Sequence, residues 1–297
     1  MKDYKLNKVK LDNGETMAYR KTGSSDKVLI LIHGNQSSSV FFQRTMEHFE
    51  DGFTVYAIDL IGFGDSSYNR RIESIADFAK DVDLFMDKMN IEKATVLGWS
   101  TGGGVAMELA ALYPNRVKSI ILLDSVGIKG YYMYKYDENL IPILNKRIYK
   151  REDILRDPVS VKPVLAAFKN LNRQFIKYVW NMSIFNLNKP ADDEYNIYLD
   201  GIMKQRNLVD TLTALANFNI TNEYNGVKKG SGHIDMIRCP VYIIHGEKDL
   251  VVNVDLARKA KEAFGDRAKI FIIKNAGHAA MFDKEKDYFS ILSDILK

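Results

Sequence analysis

The chain has 297 residues, 46% of them hydrophobic and 27% charged, and its 42 basic and 38 acidic side chains leave a formal net charge of +4. This is the composition of a soluble globular protein with a sizeable core. The charges are interspersed and the longest apolar stretches are strand-sized, so neither a nucleic-acid-binding face nor a membrane helix is expected. The single cysteine, Cys239, excludes an intramolecular disulfide and a cysteine-based zinc site, and a buried, inert thiol is expected there. The polar opening residues lack an apolar signal core, so the expected location is cytoplasmic.

Residues 4–11 and 15–21 read as two strands around the turn Asp12-Asn13-Gly14, because Asn-Gly between two such runs favours a hairpin. Val28 to Ile32 is a continuous apolar run, the pattern of a strand covered on both faces. Phe53 to Leu60, Ala94 to Leu97, Ser119 to Leu123, Val241 to Ile244 and Ile270 to Ile273 are similar. Helices alternate with these runs. The clearest starts at Ser74 with Asp77 three residues on, a capping-box arrangement, and places Ile75, Phe78, Val82, Phe85 and Met89 on one face. Val105 to Leu112 and the segment from Lys284 to Leu296 read as two more helices.

This alternation predicts an α/β fold with a mostly parallel central sheet flanked by helices. It breaks between about Ile128 and Ile237, a stretch rich in Tyr, Asn and Leu without a clear strand run. The expected organisation is a core from residues 1–127 and 238–297, with an all-helical cap from residues 128–237 inserted over the sheet's C-terminal edge.

Chemistry concentrates in Gly98-Trp99-Ser100-Thr101-Gly102, a G-x-S-x-G pentapeptide between a predicted strand and helix. A sharp strand-to-helix turn exposes the serine hydroxyl at the sheet edge, flanking glycines avoid side-chain collisions, and the helix N-terminus favours developing negative charge. A base is expected from His278, after the last strand run, and the acid that orients it from Asp249, after the preceding one. Asp124, at the end of the run after the nucleophile helix, is the competing acid. Asp249 is favoured because a G-x-x-D loop there keeps the order Ser…Asp…His. The two oxyanion donors are expected from the N–H groups of Thr101 and of Asn35 in the His33-Gly34-Asn35-Gln36 loop.

Taken together, the His-Gly loop, Asp59-Leu60-Ile61-Gly62-Phe63-Gly64-Asp65-Ser66, the Gly-Trp-Ser-Thr-Gly-Gly box and the Asp and His loops resemble the α/β-hydrolase superfamily. The resemblance implies that fold, with an inserted cap. A serine nucleophile argues against the haloalkane dehalogenases and epoxide hydrolases, which carry Asp there. The His-Gly-Asn-Gln loop departs from the glycine- and proline-rich loop of carbon–carbon bond hydrolases. The Gly-Trp-Ser-Thr-Gly-Gly box, Arg206-Asn207-Leu208-Val209-Asp210 and Asn225-Gly226-Val227 are similar to intracellular polyhydroxybutyrate depolymerases of spore-forming bacteria.

The expected activity is hydrolysis of a carboxylic ester, small or oligomeric, through an acyl-enzyme, with no metal or organic cofactor required. Two other readings stay open. An aminopeptidase-like amide hydrolase would need a cap carboxylate such as Glu194 or Asp192 to hold a free amine, and a ligand sensor would keep the fold with little turnover. The remaining residues have plainer expected roles. His33 braces the oxyanion loop, Asp59 anchors a turn, and His48 is a surface or packing residue. His245 supports the acid loop, His233 lies at the cap's return where it could approach the pocket, Trp99 packs, and most of the cap aromatics form the cap's own core while a minority face the pocket.

Overall fold

The computed structural model describes residues 2–297. The first two strands, β1 (Leu6–Lys10) and β2 (Thr16–Thr22), pair antiparallel with Lys10 opposite Thr16, and Gly14 turns the chain with φ +86°. Then β3 (Val28–Ile32), α1 (Gln43–Phe49), β4 (Thr54–Ile58), α2 (Ile75–Lys88), β5 (Ala94–Trp99), α3 (Thr101–Leu112) and β6 (Val117–Leu123) alternate. Capping of α2 follows its sequence, with the Asp77 carboxylate accepting the Glu73 and Ser74 N–H groups at 2.8 and 2.9 Å. Its Ile75, Phe78, Val82 and Phe85 are buried; each side chain of this kind, fully withdrawn from water, contributes about 1.5–3 kcal/mol.

After β6 the chain leaves the sheet and returns as β9 (Val241–Gly246), α9 (Val254–Phe264), β10 (Ala268–Ile273), α10 (Ala280–Asp283) and α11 (Glu285–Leu296). The eight strands stand in the order β1-β2-β4-β3-β5-β6-β9-β10, and all but the pairings of β2 are parallel. Strand order reverses at β3, which has β4 on one side and β5 on the other. Open α/β sheets hold their ligands in the crevice at such a point, beyond the strands' C-terminal ends. The loops bearing residues 33–36, Ser100, Asp124, Asp249 and His278 leave β3, β5, β6, β9 and β10, which are consecutive positions in the sheet. Sheet pairing, not chain proximity, collects them.

Between β6 and β9 lie α4 (Arg151–Leu155), α5 (Lys162–Lys169), α6 (Arg173–Ser183), α7 (Asp192–Ile202) and α8 (Leu208–Ala216). This stretch is not all-helical as expected. It also holds an antiparallel hairpin of β7 (Met133–Tyr136) and β8 (Pro142–Ile148), with Met133 opposite Ile148. Only Met133 and Ile148 of these strands are buried. A two-stranded ribbon with one covered end needs no continuous apolar run, so the usual strand signal is missing.

The aromatics of this stretch do not form a separate core either, although Tyr131, Tyr178 and Trp180 face the cavity beside Ser100, as expected of a minority. Phe41 of the sheet domain stacks on Tyr198 at 4.3 Å between ring centres and lies 5.2 Å from Trp180 and 5.5 Å from Trp99. Phe185 and Tyr195 extend the same cluster. Sheet edge and insertion therefore share one apolar interior. No helix among the described residues is long and apolar enough to cross a membrane.

Candidate active site

Ser100 adopts φ 53° and ψ −117°, a conformation that side-chain-bearing residues rarely adopt and that costs on the order of 1–3 kcal/mol. Its neighbours enforce it. The Ser100 N–H donates to Leu123 O at 2.9 Å, and its carbonyl accepts from Gly103 and Val126 N–H at 3.0 and 3.1 Å. The turn is so tight that a Cβ on Gly98 would lie 2.1 Å from Gly102 O, and one on Gly102 would lie 2.2 Å from Ile32 O. Here the glycines are required by packing. Ser100 stands at the N-terminal end of α3, where helix N–H groups point outward and favour negative charge.

His278 and Asp249 are both buried, and His278 Nδ1 donates to Asp249 Oδ2 at 2.7 Å. The other carboxylate oxygen accepts the N–H groups of Val251 and Val252 at 2.7 and 2.9 Å. His245 Nε2 lies 3.2 Å from the oxygen that receives His278, and donates to Val252 O at 2.8 Å. Burial alone would raise the Asp249 carboxyl, but the imidazoles of His278 and His245 outweigh it and hold the group well below the usual carboxylate range. Burial opposes charging of His245, yet the Asp249 and Asp124 carboxylates raise it above the ordinary histidine value. Trp99 Nε1 donates to the His278 carbonyl at 2.8 Å and Asp283 accepts the Gly277 N–H at 2.7 Å, so the histidine loop is held from two sides.

The competing acid, Asp124, is spent on backbone. It is fully buried with φ 42°, and its two oxygens accept Gly246 N–H at 2.8 Å and Ala280 N–H at 3.2 Å. These belong to the end of β9 and the residues after His278, so Asp124 ties the Asp249 and His278 loops together. Burial pushes its carboxyl up to about 7.

Ser100, Thr101, Asn35, Gln36 and His278 share the wall of one cavity of about 540 Å³. Most of the remaining wall is apolar, with Val126, Val164, Trp180, Leu212, Leu215 and Val252 among it. No hydrogen bond joins Ser100 Oγ to His278 among the described residues; such contacts often tighten only when substrate binds. The N–H groups of Asn35 and Thr101 have no internal acceptor among the described residues.

Most of the plainer expectations hold. His33 Nε2 accepts the Leu60 N–H at 3.0 Å, so its proton sits on Nδ1 and is donated to Gly34 O at 2.7 Å, bracing the loop. Asp59 accepts Ser39 and Asp65 N–H at 2.7 and 2.9 Å. His48 is exposed and stacks on Phe289. His233 pairs with Glu108 at 2.6 Å, away from the cavity wall. Cys239 is a free thiol but only half-buried, because it lies just before β9 begins. His245 supports the Asp249 loop as expected, with Nε2 3.2 Å from Asp249 Oδ2. One polar partner was not legible in the sequence. Gln205 donates to Asn35 Oδ1 at 2.8 Å from 170 residues away, and no local pattern marks it.

The chain belongs to the α/β-hydrolase family, whose alpha/beta hydrolase fold profile matches residues 27–285. It is 27% identical over 287 residues to an uncharacterized protein of Mycobacterium bovis, with 94% of this chain and 78% of that one covered. It is 26% identical over 298 residues to Lipase 3 of a Moraxella species, covering 96% and 82%. An esterase from Exiguobacterium antarcticum is similar in structure, with a TM-score of 0.75 at 15% identity over 98% of both chains, a likeness of fold.

Proposed function

We propose that this protein is a serine-dependent carboxylic ester hydrolase with Ser100 as nucleophile, His278 as base and Asp249 as orienting acid. The observation that carries the reading is the strained Ser100 turn opening on the same cavity as His278, whose Nδ1 is held by Asp249 at 2.7 Å. His278 Nε2 takes the Ser100 proton as Oγ bonds to the acyl carbon. Thr101 and Asn35 N–H groups receive the developing oxyanion. Collapse breaks the bond to the alkoxy oxygen, which leaves as an alcohol with the proton from His278. Water, deprotonated by His278, then cleaves the acyl-enzyme and releases the acid.

A mostly apolar cavity favours the acyl chain of an ester, with few groups to hold a charge. The carboxylates an amine-binding amide hydrolase would need are engaged elsewhere. Glu194 accepts from both Arg44 and Tyr198, Asp192 pairs with Lys177 at 2.8 Å, and neither lines the cavity. The resemblance of the Gly-Trp-Ser-Thr-Gly-Gly box to intracellular depolymerases makes 3-hydroxybutyrate esters and oligomers the substrates to try first.

The test combines a fluorophosphonate probe with turnover of p-nitrophenyl esters of increasing chain length and 3-hydroxybutyrate oligomers. Ser100 should be the labelled residue, and Ser100→Ala should lose both labelling and turnover. Labelling of Ser100→Ala at the wild-type rate overturns the nucleophile. Turnover of simple esters without any hydroxybutyrate ester removes the narrower substrate, and one slow turnover with retained product favours a sensor.

A further inference from the structure

Gln205 lies between α7 and α8, 4% exposed, and its amide makes three contacts. Oε1 accepts the Gln36 N–H at 3.1 Å, while Nε2 donates to Asn35 Oδ1 at 2.8 Å and to Asn207 Oδ1 at 3.0 Å. Asn207, 1% exposed, donates its own Nδ2 to Ile61 O at 2.7 Å.

An amide's oxygen and nitrogen are told apart by their partners, and here both ends of the chain are backbone groups of fixed polarity. A backbone N–H only donates, so the atom of Gln205 facing Gln36 is the oxygen. A backbone carbonyl only accepts, so the atom of Asn207 facing Ile61 is the nitrogen. Both constraints require Gln205 to present its NH₂ to the two asparagines. The atom of Asn35 facing Gln205 is therefore its oxygen, and the Asn35 NH₂ is left over. Asn35 lines the cavity beside Ser100, and its Nδ2 has no protein partner among the described residues.

We infer that Gln205 is a positioning residue for the reaction, holding the Asn35–Gln36 segment in place and orienting the Asn35 amide so that its NH₂ is presented to the substrate's acyl oxygen. The inference rests on the ester-hydrolase reading. Two hydrogen bonds from Gln205 thus tie the inserted stretch to the Asn35–Gln36 loop, so a displaced insertion would release it. Gln36, at φ 53°, needs such a restraint, because a non-glycine residue relaxes readily from that conformation.

The test uses the full chain with Gln205→Glu, Gln205→Met, Asn35→Ala and the double variant Asn35→Ala/Gln205→Glu. Steady-state turnover of p-nitrophenyl butyrate and melting temperature are read for each. Glutamate keeps the acceptor for Gln36 but has no donor for Asn35, so the Asn35 amide must turn its NH₂ toward the new carboxylate. The expected result for Gln205→Glu is a fall in kcat of about 10²-fold, the order of one lost oxyanion donor, with KM within about threefold. Gln205→Met, of similar volume, should fall in the same direction with a melting temperature near wild type. The double variant should be no worse than Asn35→Ala alone, since the glutamate acts through Asn35. Unchanged kcat in a folded variant, a KM effect alone, or additive losses overturns the role, as does failure of both Gln205 variants to fold, which would make the residue structural. A wild type without ester turnover instead overturns the ester-hydrolase reading and this inference with it.

Discussion

His278 Nδ1 and Asp249 Oδ2 stand 2.7 Å apart across 29 residues of chain, brought together because β9 and β10 are neighbours in parallel register. The bond fixes the imidazole proton on Nδ1 and leaves Nε2 unprotonated, the atom the proposed mechanism uses as base. Asp249→Asn would present an NH₂ or a neutral oxygen in its place and allow the wrong tautomer. Turnover should fall by about 10⁴-fold, by analogy with the serine-protease acid, in a protein that still melts cooperatively. Near-normal turnover of the folded variant would remove Asp249 from the mechanism.

Asp124 separates folding from catalysis. It holds Gly246 and Ala280 N–H groups, so an asparagine there would keep one acceptor and set an NH₂ against the second donor. The φ of 42° suits asparagine, so backbone strain is not added. Asp124→Asn should cost about 1–3 kcal/mol of stability and far less turnover than Asp249→Asn. Thermal melts beside kinetics check this; a folded, fully stable but inactive Asp124→Asn would reverse the two roles.

The Ser100 turn should not tolerate a methyl group. Gly98→Ala would place its Cβ 2.1 Å from Gly102 O, where backbone has no room to move aside. A loss of at least about 1–3 kcal/mol is expected from overpacking, measurable as a lower denaturant midpoint. An Ala variant with wild-type stability would mean that the turn is looser than described.

Stability should depend on pH through Asp81, which is remote from the cavity. Burial pushes its carboxyl up to about 6 from an ordinary 3.8, although Arg70 at 2.6 Å and Asn13 at 2.7 Å favour the anion. Because the folded value is raised, the folded state holds the proton more tightly than the unfolded chain does. The contribution is full below about pH 4 and is lost as pH rises through about 6. Asp81→Asn cannot titrate, so the melting temperature of wild type minus that of the variant should fall between about pH 4 and pH 7. A difference that stays constant or grows over that range would refute the assignment.

Which features were legible in the sequence follows from the range of the forces involved. Val28 to Ile32 and its fellow runs show sheet and burial because a strand covered on both faces must be apolar throughout. Gly98 and Gly102 flank Ser100 because collisions within a few residues forbid any side chain there, so the turn is written locally. The Ser74–Asp77 cap is local in the same way.

Tertiary structure alone decided the rest. Asp124 and Asp249 both follow an apolar strand; the G-x-x-D pattern and chain order favour Asp249, but no local pattern shows what Asp124 does instead. The order β6-β9-β10 places Asp249 on His278 and turns Asp124 to the backbone of both flanking loops. The β7–β8 hairpin has too few buried residues to leave a strand pattern. Gln205 reaches Asn35 across 170 residues, through a hydrogen bond whose 2.8 Å length is set by how the insertion packs on the sheet edge. Periodicity and steric limits act between near neighbours and can be read along the chain. A hydrogen bond tolerates only a few tenths of an ångström, and such distances between remote residues exist only once the whole sheet is assembled.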